Sequence, residues 1–111
     1  MAIYSNFTID QGTTFSANID VTDAEGDVLN LTSYTVAGQM RKSYNSTTFT
    51  AFSASISNAT GGVVTIGLSA AQTNALKAGR YVYDVEITAS DATVTRIIEG
   101  QIEVTPGVTR A

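Results

Sequence analysis

Between Arg80 and Thr88 the chain alternates more strictly than anywhere else. Tyr81, Tyr83, Val85 and Ile87 share one parity, and Arg80, Val82, Asp84, Glu86 and Thr88 the other. Successive side chains of a strand point to opposite faces, so this phase predicts a strand with one face on a core. The residues before it, Leu76-Lys77-Ala78-Gly79, read as a helix end and a glycine stop. A strand buried on one face cannot stand alone, and the rest of the chain has to build sheet around it.

It supplies the strands. Tyr4 to Asp10 forms a first candidate, turned by Gln11-Gly12. Thr13 to Thr22 places Phe15, Ala17, Ile19 and Val21 on one face, with Thr14, Ser16, Asn18 and Asp20 opposite. Asp23 to Asp27 is a turn, after which Val28, Leu29 and Leu31 head for the core. Val36, Gly38 and Met40 are in phase within Thr35 to Lys42. Thr48 to Ser57 changes parity part-way: Phe49 and Ala51 favour one face, Phe52, Ala54 and Ile56 the other. Val64, Ile66 and Leu68 align in the next strand.

One helix is expected near Ser69–Lys77, since Ser69 and Gln72 have capping-box spacing. The last strand, Thr93 to Thr105, carries Gly100 in its middle, which predicts a bulge or bend. Pro106 ends it, having no N–H to donate. About seven short strands at regular spacing in 111 residues predict a single-domain, all-β sandwich spanning residues 1–111.

Composition removes whole classes of function. With neither cysteine nor histidine, the chain has no disulfide framework, no zinc site and no Cys- or His-based nucleophile. Net charge is −4 and the six basic residues are scattered, which argues against nucleic acid as a partner. No apolar run is long enough to span a bilayer. Met1-Ala2-Ile3-Tyr4 lacks the regions of a secretory signal, predicting synthesis in a cytoplasm. The N-x-T tripeptides at Asn6, Asn30, Asn45 and Asn58 then read as turns and strand edges. Only 14% of residues are charged, and Thr, Ser and Ala abound, a surface suited to packing against other proteins.

Three groups of residues invite a chemical reading. The acidic run Asp20, Asp23, Glu25 and Asp27 offers oxygen ligands to calcium, but its spacing does not fit the EF-hand loop, and a solvated hairpin turn accounts for it. Asp84, Glu86, Glu99 and Glu103 offer paired carboxylates for glycoside hydrolysis. They fall on outward parities beside Arg80 and Lys77, where a cross-strand surface network is the simpler account. Tyr44, Phe49 and Phe52 lie in or beside a polar loop, and their exposure would mark a protein interface. No catalytic, cofactor-binding or metal-binding residue is assigned.

The motifs also carry a resemblance. Leu68-Ser69-Ala70-Ala71-Gln72-Thr73 leads into Leu76-Lys77-Ala78-Gly79-Arg80-Tyr81-Val82-Tyr83-Asp84-Val85. Arg96-Ile97-Ile98-Glu99-Gly100 and the tail Val104-Thr105-Pro106-Gly107-Val108-Thr109-Arg110 follow. With Gln11-Gly12-Thr13-Thr14-Phe15 and Leu29-Asn30-Leu31-Thr32-Ser33-Tyr34, this layout resembles short tailed-bacteriophage virion structural proteins. It is also similar to the N-terminal immunoglobulin-like domain of phage baseplate upper proteins. The resemblance implies an immunoglobulin-like sandwich in the virion: a decoration, neck, tail or baseplate accessory, made in the host cytoplasm. It implies other virion proteins as partners. The low charge and the many Thr, Ser and Ala positions suit a symmetric homo-oligomer, held by apolar burial and by strand-edge pairing at the first or last strand. The resemblance brings no catalytic residue and no cofactor. The alternative is a carbohydrate or host-surface binding module with Tyr44, Phe49 and Phe52 as its platform.

Overall fold

The computed structural model describes residues 3–108, so Thr109 and Arg110 of the tail motif lie outside the described residues. The strands are β1 (Ile3–Tyr4), β2 (Phe7–Asp10), β3 (Phe15–Asp20), β4 (Thr35–Arg41), β5 (Thr50–Ala51), β6 (Ser53–Asn58), β7 (Val63–Leu68), β8 (Gly79–Thr88) and β9 (Val94–Thr105). The helix α1 (Ala70–Asn74) joins β7 to β8. One sheet runs β1–β9–β8–β4–β5, with β2 also on β9; the other runs β3–β7–β6. Two traverses are each interrupted once, β1 from β2 and β5 from β6, so the nine segments make seven passes of the chain. This is an all-β, immunoglobulin-like sandwich with one short helix. Its strand order matches that fold's, with the first traverse laid parallel on the last strand.

The alternating strands behave as their parity demands. Tyr81, Tyr83, Val85 and Ile87 of β8 are buried and meet Val64, Ile66 and Leu68 of β7, Ile19 of β3 and Met40 of β4 in one cluster. Each such aliphatic side chain contributes about 1.5–3 kcal/mol when removed from water. The Thr48–Ser57 change of parity has a physical cause. The chain leaves β5, paired with β4, and enters β6, paired with β7, so it crosses from one sheet to the other at Phe52. Phe52 N–H still donates to Gly38 O at 2.9 Å. Its ring turns into the core against Tyr83 and Phe15.

The Gln11-Gly12-Thr13 turn, α1 and the tail meet at one end of the sandwich. Gln11 Nε2 donates to Leu76 O at 2.7 Å, while its Oε1 accepts Gly107 N–H at 3.1 Å. Thr73, fully buried, accepts Gly12 N–H at 3.1 Å and donates to Thr13 O at 2.7 Å. The Ser69–Gln72 capping box is present. The helix is shorter than expected, however, with Ala75 as its C-cap. Leu76 and Lys77 instead spend their carbonyls on Gln11 and on Tyr81, whose hydroxyl donates to Lys77 O at 2.8 Å. That last bond, from the start of β8 to a carbonyl four residues upstream, is the tyrosine corner of immunoglobulin-like domains. Gly79, at φ +139°, starts the strand rather than closing the helix.

Three further expectations are corrected. Gly100 is not the bulge. The register slips between Val85 and Glu86, which face Ile98 and Arg96, so Ile97 is the extra residue. Both Ile97 and Ile98 are consequently buried. A Cβ on Gly100 would stand 1.9 Å from Ser5 O, so glycine is required there by the N-terminal chain crossing β9. Of the first and last strands expected at an edge, the first traverse is at one, whereas β9 is not, because it lies between β8 and that traverse. Val28 does not reach the core and is 60% exposed, whereas Leu31 is buried.

Candidate functional site

The outer face of the larger sheet gathers acidic, basic, amide and aromatic side chains. Cross-strand register sets Gln39 beside Asp84 and Asp84 beside Glu99 in one row, and Glu86 beside Arg96 in the next. These side chains, with Arg41 and Tyr44, line an open groove of about 330 Å³. Arg96 organises one side of it: its Nε lies 3.2 Å from Asp84 Oδ2, and its Nη1 lies 3.5 Å from Glu99 Oε1. All three side chains are partly open to water, so the pairs add at most about 1 kcal/mol each.

Arg41 organises the other side. Its guanidinium bonds Ser46 O and, at 2.9 Å, Gln39 Oε1. It also lies 5.0 Å from the centre of the Phe49 ring. One cation thus holds the loop from Lys42 to Phe49 against the sheet, with the Phe49 ring beside its guanidinium. Tyr44 is 77% exposed and Phe49 51%, while Phe52 is 7% exposed. Two of the three aromatics read as an interface therefore stand on the surface. Phe52 does not, because the sheet crossing rotates its side chain inward.

The carboxylates divide. Asp84, Glu86 and Glu99 share the groove, whereas Glu103 pairs in register with Arg80 in a separate shallow depression. The expected cross-strand network exists, but Arg96 holds it, in place of Arg80 or Lys77. Arg41 and Arg96 were the residues that parity reading missed. Arg96, three positions before Glu99, was the available signal.

The acidic turn and the paired tyrosines serve structure. Asp23 Oδ1 accepts the N–H groups of Glu25 and Asp27, both at 3.0 Å, so this carboxylate caps its own turn. Among the described residues no group of three or more Asp, Glu, His or Cys side chains is gathered for a metal ion. Tyr81 and Tyr83 lie in the core, as their parity predicts. Burial raises both hydroxyl pKa values above the usual 10, and Tyr4 adds to the shift at Tyr83.

No family model matches the chain, and no curated protein does. Among solved structures it is similar to an internalin-like protein of Listeria monocytogenes, at 18% identity and a TM-score of 0.47, covering 96% of this chain and 28% of that one. It is also similar to a family 123 glycoside hydrolase from Clostridium perfringens, at 13% identity and a TM-score of 0.44, covering 96% of this chain and 24% of that one. The chain thus spans about a quarter of the length of either protein.

Proposed function

We propose that this chain is a non-enzymatic structural protein of a tailed-phage virion, working through contacts with other virion proteins and with copies of itself. The phage setting rests on the resemblance of its motifs. The observation that carries the mode of action is a pair of exposed rings beside the groove's arginines: Tyr44 lines the groove with Arg41 and Arg96, and Phe49 lies against the Arg41 guanidinium. Tyrosine, phenylalanine and arginine are among the residue types enriched at protein interfaces; all three bury much area, and tyrosine and arginine keep a polar group while doing so. Mass spectrometry of purified particles tests the proposal: the chain is expected as a stoichiometric component. Its absence from mature virions would overturn it.

A second reading has an observation of its own. Tyr44 shares the groove with Gln39, Asp84 and Glu86, planar polar groups of the kind that bond sugar hydroxyls. A carbohydrate or host-surface binding module would show up on a glycan array as binding abolished by Tyr44→Ala. An array on which the folded chain binds nothing removes this reading.

A further inference from the structure

Sheet edges present unpaired backbone groups, and proteins blunt the edges that must stay free. Three of the four edges here are blunted. β5 is two residues long. β1 and β2 are separated by the break at Ser5 and Asn6. β6 is bulged between Ile56 and Asn58, and the residue preceding it, Phe52, is held to the other sheet at Gly38.

The fourth edge is β3. Its six residues, Phe-Ser-Ala-Asn-Ile-Asp, run against β7 in unbroken register from Phe15↔Leu68 to Asp20↔Val63. It contains no proline, glycine, lysine or arginine, and no strand covers its other side among the described residues. Val21 N–H donates to Gly62 O at 2.7 Å, continuing the β7 side of the ladder. By the alternation of an antiparallel ladder, Ser16, Asn18 and Asp20 therefore turn their N–H and C=O groups to the open edge.

We propose that β3 pairs with β3 of a second copy, antiparallel and about a two-fold axis at Asn18, joining two three-stranded sheets into one. Three features of the strand fit that partner. Across such a ladder the residues that turn their N–H and C=O groups to the open edge have to face one another. The axis at Asn18 matches every one of them, Asn18 with Asn18 and Ser16 with Asp20, for about six backbone hydrogen bonds. It also places Asp20 opposite a serine instead of a second aspartate, so no like charges meet. On the inner face it sets Phe15 opposite Val21 and Ala17 opposite Ile19 of the other copy. Phe15 and Ala17 are only half-buried in the single chain, while Ile19 and Val21 are buried, so pairing covers the apolar surface the edge leaves open.

The proposal gives the self-association of the preceding section a place, but it is read from the purified chain in solution and does not depend on the virion. Light scattering and sedimentation of the full chain should show a concentration-dependent dimer. Asn18→Lys puts two ammonium groups face to face on the axis and should weaken it at least tenfold, on the order expected for opposed like charges. Mixing Asn18→Lys with Asn18→Asp should restore a dimer. Thr65→Ala removes the same intrachain bond that Asn18→Lys disturbs, Thr65 Oγ1 to Asn18 Oδ1 at 2.8 Å, and should leave the dimer intact. A chain that stays monomeric up to roughly millimolar concentration, or a dimer indifferent to Asn18→Lys, overturns the proposal. So does a mixture of the two charged variants that stays monomeric.

Discussion

The Tyr83 hydroxyl donates a 2.7 Å hydrogen bond to the Ser5 carbonyl oxygen, 78 positions away in sequence. The same oxygen occupies the space a Cβ would need at Gly100. A core tyrosine and a missing side chain together decide where the N-terminal traverse crosses β9, with Asn6 Oδ1 accepting Gln101 N–H at 2.9 Å beside them.

Gly100→Ala should therefore push β1 and β2 away from β9. Overpacking of this kind costs about 1–3 kcal/mol. Chemical denaturation should show a lower midpoint, and amide exchange should quicken first at Phe7 and Ile9 of β2.

Tyr83→Phe keeps the ring and removes the bond, at a cost of about 1 kcal/mol at neutral pH. Its pH dependence is the sharper test. Burial raises the Tyr83 pKa in the folded protein, while the unfolded chain titrates near 10. Above pH about 10 the unfolded state loses its proton and the folded state keeps it, so stability falls as pH rises. A stability profile from pH 8 to 11 should decline less steeply for Tyr83→Phe than for the parent.

Thr73→Val is close to isosteric yet leaves Gly12 N–H without its acceptor. Thr13 O loses its donor as well, and the two lost hydrogen bonds together cost about 1–3 kcal/mol. Thermal unfolding should show that loss, and Thr73→Ser should recover most of it.

The aromatics expected to act together should separate by energy. Phe52→Ala empties a core position and should cost about 3–5 kcal/mol in urea denaturation. Phe49→Ala loses chiefly its contact with Arg41, about 0.5–1 kcal/mol, and Tyr44→Ala should change stability little. If Tyr44 and Phe49 form an interface, their substitution should lower incorporation into particles without unfolding the chain.

These residues also show what the sequence made legible. Parity was enough wherever a strand stays in one sheet, as at β3, β7 and β8, because its period is fixed by backbone geometry. Spacing alone located the Ser69–Gln72 cap. The change of face at Phe52 was visible as conflicting parity, but its meaning lay in two partners, β4 and β7, that local sequence does not name. Gly100 was readable as special and not readable in cause, since the atom it accommodates comes from Ser5. The bulge had its own sign in the adjacent Ile97 and Ile98, both too apolar to alternate. At the groove, outward parity identified Asp84, Glu86 and Glu99, while Arg96 joined Asp84 and Glu99 only through the slipped register of β8 on β9.

The most direct test of the functional account is a reconstruction of the phage particle at a resolution that resolves side chains. The account predicts density for this sandwich in the mature particle, with Tyr44 and Phe49 packed against a neighbouring subunit. A particle in which the chain is absent, or present with both rings facing solvent, would contradict it.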